Sequence, residues 1–130
     1  MHLSTTALKK LRLKTKKQKP DLLVCAGDLS IFENGLDIML NKLSKFKKTI
    51  VLIHGNHETS SEMKKLCSKY KNLIFIHKTY YKQDNCIFLG FGGGGFSLIE
   101  KDFNKTSNKF KKIISKNKDK KIILVTHAPP

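Results

Sequence analysis

Three stretches of this chain, "LLVCAGD" (Leu22 to Asp28), "IVLIHGNHE" (Ile50 to Glu58) and "IILVTH" (Ile122 to His127), each carry a short apolar run straight into polar, reactive residues. Apolar runs of this length, rich in β-branched residues and bounded by Gly or charged residues, read as buried strands. Between them, amphipathic segments predict helices. Thr5 to Gln18, capped near Ser4 or Thr5 and ended by the break at Pro20, is one. Asn34 to Phe46, with Leu36, Met39, Leu40, Leu43 and Phe46 on one face, is another, and Ser60 to Tyr70 a third. "NLIFIH" and "NCIFLGFG" are β-rich and flank "KTYYKQD", a turn region or short strand. Phe103, Phe110, Ile113 and Ile114 mark a last helix. Apolar strands alternating with helices call for an α/β fold. Its mainly parallel sheet, or sheets, would be sandwiched between helices and joined by right-handed crossovers. Residues 1–130 read as a single domain, with no internal repeat and no linker.

In a parallel sheet the carboxyl ends of the strands share one edge, where α/β proteins build their sites. That edge would gather Asp28, then Asn56, His57 and Glu58, then His127. The step from Asp28 to Asn56 is 28 positions, near the roughly 30 residues of a strand–helix–strand unit. His2 precedes Asp28 with one helix between, as though it followed a strand lying before Met1. Imidazoles, a carboxylate and a carboxamide, with no thiolate, suit borderline divalent ions such as Mn, Fe, Zn or Co. Simpler uses stay open: an Asx turn at Asp28, a strand-to-helix bend at Asn56 and His57, a chain stop at His127.

"AGDLS", "HGNHE" and "THAPP", in this order and spacing, resemble the GD, GNH(D/E) and (G/T)HxPP motifs of the calcineurin-like metallophosphoesterases, and "FGGGGF" looks like the Gly-rich turn of small prokaryotic members. The resemblance spans essentially the whole chain. It implies hydrolysis of phosphate mono- or diesters by a dinuclear metal centre, with a metal-bound hydroxide attacking phosphorus in line. Asp28 would bridge two divalent ions, which lie about 3.5–4 Å apart in such centres. Asn56 and His127 would hold the second ion, and His2 the first. His57 would act on the phosphate and leaving oxygen, with Glu58 orienting its imidazole. The aspartate expected two positions before His2 and the GHxH segment expected after "THAPP" do not fall within the sequence. It therefore reads as a partial domain truncated at both ends, whose second metal position is the better furnished.

The net charge of +16 favours polyanions. Of 26 basic residues only Arg12 is an arginine, so the lysines read mainly as solvated faces with weak nonspecific attraction to nucleic acid. A noncatalytic fragment or basic module that binds polyanions is the competing function. His54 reads as pointing into packing or toward the groups behind the site, His77 as structural, and Tyr80 and Tyr81 as packing. Cys25, Cys67 and Cys86 are odd in number and widely spaced, which suits reduced, buried thiols. No secretory pattern occupies "MHLSTTALKKLRLKTKK" and no apolar run is long enough to span a bilayer, so a cytoplasmic protein without membrane contact is expected.

Overall fold

The computed structural model of the chain describes residues 4–32, 34–94 and 102–128. Helix α1 (Thr5–Gln18) starts where the Ser4 hydroxyl accepts the N–H of Ala7 and stops at Lys19, whose left-handed φ of 46° turns the chain ahead of Pro20. Strand β1 (Leu22–Cys25) follows. Next come α2 (Leu36–Ser44), β2 (Thr49–Leu52), α3 (Ser60–Cys67) and β3 (Leu73–Phe75). Helix α2 begins at Leu36, two residues after the expected Asn34, because Gly35 takes a φ of 70° and Asn34 bridges back to Ile31. Helix α3 is capped by the Thr59 hydroxyl, which accepts the Glu62 N–H.

The second half contains β4 (Thr79–Gln83), β5 (Cys86–Phe91), α4 (Phe103–Ser115) and β6 (Lys121–Thr126). The "KTYYKQD" segment is thus a strand, antiparallel to β5. Among the described residues there are two three-stranded sheets, not one. The first is parallel, in the order β1-β2-β3; the second is β4-β5-β6, with β5 and β6 parallel.

Each sheet meets helices on one face and the other sheet on the opposite face. The alternation along β2 makes this visible. Ile50 and Leu52 pack with Leu8 and Leu11 of α1, Leu36, Met39, Leu40 and Leu43 of α2, and Met63 and Leu66 of α3. Val51 and the following Ile53 point the other way, into a cluster with Ile76, Phe88 and Val125 that joins the two sheets. On the far side of the second sheet, Ile87 and Leu89 pack with Phe110 of α4. Because α1, α2 and α3 share one layer, the other face of the first sheet is covered by strands. The expected sandwich between helices is therefore built from two sheets back to back. A strand buried by helices on one side and by a sheet on the other is as continuously apolar as one between two helical layers.

Candidate metal centre

Strands β1, β2 and β6 end on one rim. The register of the first pair puts Cys25 opposite Leu52, so the next residues of each strand, Ala26–Asp28 and Ile53–Asn56, leave the sheet side by side. The two turns interlock tightly. Gly27 has a φ of 92° and Asp28 one of 53°, a left-handed pair that Gly supplies freely and Asp tolerates. A Cβ on Gly55 would run into the Asp28 carboxylate. With no side chain there, the Asp28 Oδ1 accepts the N–H of Asn56 at 3.2 Å.

Glu58 holds both turns. Only 5% exposed, its Oε2 accepts the N–H groups of Gly55 (2.9 Å) and Asp28 (3.1 Å), while Oε1 accepts the N–H (2.8 Å) and hydroxyl (2.9 Å) of Ser30. A buried carboxylate with four donors is well satisfied and fixes the chain it touches. From the sequence, Glu58 is expected to orient the His57 imidazole. In the structure both of its oxygens accept hydrogen bonds from the two strand-end turns. His57 itself lies edge-on to the Phe32 ring, with centroids 4.9 Å apart.

His127 arrives from the end of β6. Its Nδ1 lies 2.7 Å from the carbonyl oxygen of Ala26, which can only accept, so Nδ1 carries a proton. The opposite nitrogen, Nε2, then sits 3.1 Å from Asn56 Oδ1 and 3.5 Å from Asp28 Oδ1. On a neutral ring, that lone pair faces two oxygen acceptors. Such an arrangement suits a cation held between the three groups. Donors bound to one ion at about 2.0–2.2 Å stand roughly 3.0–3.5 Å from one another, which these separations match. A ligating histidine also characteristically donates its other N–H to a carbonyl or carboxylate, as His127 does to Ala26.

Asp28, Asn56 and His127 are thus brought together from three strand ends, with His57 next to them in the chain. His2 lies outside the described residues. No group of three His, Cys, Asp or Glu side chains of metal-binding form occurs among the described residues; the trio at this rim has an amide as its third donor. Sequence reasoning overlooked Ser30, the Ala26 carbonyl and Phe32. The Ser two positions after the "GD" was the available signal for the first, whereas a backbone carbonyl and a ring across a turn leave none.

His54 and His77 lie behind the rim, their ring centroids 4.4 Å apart. His77 Nδ1 accepts the Gly92 N–H at 3.0 Å, and burial, helped by His54 and Lys78, lowers its pKa to about 4. Both rings pack among Phe75 and Phe91 behind the rim. Cys67 is buried and its thiol is pushed up to about 12 by desolvation; burial raises Cys25 as well. Cys25, Cys67 and Cys86 are free thiols.

Two sheets stacked between helical layers, with His, Asn and Asp collected at one rim, are the fold and the donor set of this chain. The chain belongs to the calcineurin-like phosphoesterase family, whose model matches residues 1–130. Solved structures share the fold. One crystal structure superposes with a TM-score of 0.77 at 16% identity, covering 99% of this chain and 66% of that one. Another, the crystal structure of TT1561 of Thermus thermophilus, gives 0.70 at 15% identity, covering 92% and 60%. The chain therefore spans about 60–66% of the lengths of these two. No curated protein matches it. The family generally uses divalent metals and hydrolyses phosphoester bonds. No helix among the described residues is long and apolar enough to cross a membrane.

Proposed function

We propose that this chain hydrolyses phosphate mono- or diesters, with divalent ions (Mn, Fe, Zn or Co) held at the rim by Asp28, Asn56 and His127. The observation that carries the reading is the placement of His127 Nε2 at 3.1 and 3.5 Å from the Asn56 and Asp28 oxygens, its other nitrogen already bonded to Ala26. Bound in such a centre, the ions supply Lewis-acid charge that lowers the pKa of water toward 7 and offsets charge developing on the phosphoryl group.

The chain's own residues divide the remaining work. Asp28 would lend its carboxylate to the ions, and His2, which lies outside the described residues, is the further donor that the sequence motif implies. Asn56 adds a neutral donor, which binds without repelling an anionic substrate. His57, one residue on, would face the phosphate and the leaving oxygen as electrostatic stabiliser or general acid. Glu58 acts as a positioning residue by fixing the turns that present Asp28 and Asn56, and a cytoplasmic setting agrees with three reduced thiols.

Manganese titration by isothermal calorimetry, paired with hydrolysis of an aryl phosphate and a diaryl phosphodiester, tests this. Asp28→Ala and Asn56→Ala should each weaken manganese binding, and any hydrolysis, by about 100-fold or more. Unaltered manganese affinity in Asp28→Ala would defeat the assignment whether or not the chain turns over substrate.

A further inference from the structure

Away from the rim, helix α4 and strand β4 enclose a cleft of about 690 Å³. Lys105, Lys109 and Lys112 of α4 and Lys116 at its C-cap line the helical wall, at steps of four, three and four residues that place them on one side. Tyr80 and Lys82 line the facing wall. Strand alternation sorts β4: Tyr81 turns inward and packs between the sheets, while Tyr80, 41% exposed, and Lys82 turn toward α4. Among the described residues no carboxylate lines the cleft. Lys82 hydrogen-bonds Asn117 Oδ1 at 2.9 Å and Lys109 the Lys78 carbonyl at 2.8 Å, both neutral acceptors that leave the positive charge uncancelled. Asp102, at the near end of the helix, is paired with Lys78 at 2.9 Å.

The shape narrows the choice of partner. Four lysines along α4 extend over about 16 Å at 1.5 Å per residue, which suits a linear anion rather than a single phosphate. They line a trough, whereas a lipid surface needs a convex or flat basic face. A ring beside ammonium groups suits a nucleotide, whose base stacks while its phosphate pairs with lysine. Lys82 Nζ lies 5.6 Å from the Tyr80 ring centroid, so the two kinds of contact are adjacent. Asn108 adds an amide able to bond a base edge.

We infer that the cleft between α4 and β4 binds single-stranded nucleic acid, its phosphates along the α4 lysines and a base against Tyr80. This site is separate from the metal rim and does not depend on hydrolysis, so it is tested in the presence of chelator. Fluorescence anisotropy with a labelled single-stranded DNA oligonucleotide, followed across a salt titration, should give a slope of log K against log salt of about −3, the value for four to five phosphate contacts. Joint replacement of Lys105, Lys109, Lys112 and Lys116 by Gln should bring that slope close to zero. The same number of replacements on α1 (Lys9, Lys10, Lys14 and Lys17 to Gln) should change it little. Tyr80→Leu should lower single-strand affinity about tenfold without altering the slope. Circular dichroism of each variant checks that it folds. Equal losses from the α4 and α1 sets, an unaffected Tyr80→Leu, or equal binding of duplex DNA or of phosphatidylserine vesicles would overturn the assignment in favour of undirected charge.

Discussion

Replacing Glu58 with Ala deletes one side chain and strands the donors it serves in two different turns. The N–H groups of Gly55 and Ser30 are buried and that of Asp28 is partly buried, and all three donate to Glu58. A buried donor left without its acceptor costs about 1–3 kcal/mol. Water can enter the space vacated and recover part of this, so the three together should cost about 3–5 kcal/mol, a large share of the roughly 5–15 kcal/mol that stabilises a domain. Glu58→Gln keeps one acceptor oxygen but sets an NH2 against the remaining donors, and should lose about half as much. Urea unfolding followed by circular dichroism measures both, through a fall in midpoint at constant slope. Because the same carboxylate fixes the Asp28 and Asn56 turns, manganese affinity should fall in parallel. If Glu58 served chiefly to orient His57, its Ala variant would unfold within about 1 kcal/mol of the parent chain and mimic His57→Ala in activity alone. That outcome would refute the reasoning.

Gly55→Ala places a methyl group where the Asp28 carboxylate lies, so we expect a loss of about 1–3 kcal/mol together with weaker manganese binding, both read by thermal unfolding with and without the ion. His77 provides a pH dependence with a definite sign. Its pKa of about 4 lies below the 6.5 of the free imidazole, so between these values the unfolded chain binds more protons and stability must fall as pH drops from about 6.5 toward 4. With solvent screening at a partly exposed ring the effect should stay below about 2 kcal/mol. His77→Phe should flatten it, and an NMR titration midpoint near 6.5 for His77 would show the assignment to be wrong.

Much of the fold was legible because local rules governed it. Helix α1 has the boundaries its Ser4 cap and Pro20 predict, and the apolar face of α2 is the one its spacing marks, with Leu36, Met39, Leu40 and Leu43 buried. The number of sheets was not legible. Ile50 and Val51 look alike in the sequence, yet one contacts helices and the other a second sheet. Hydrophobicity records that a face is covered and carries no mark of what covers it.

The same division runs through the rim. By itself the sequence determined which chemical groups end the strands, Asp28, Asn56 and His57, and His127, and the family to which those motifs point. Only the tertiary structure decided that Glu58 serves the backbone of two turns, that the Ala26 carbonyl orients His127, and that Tyr80 faces a lysine-lined trough while Tyr81 packs. Side-chain identity is local information. A hydrogen-bond partner is set by which turn of the folded chain comes within about 3 Å, and for His127 and Ala26 that neighbour lies 101 positions away.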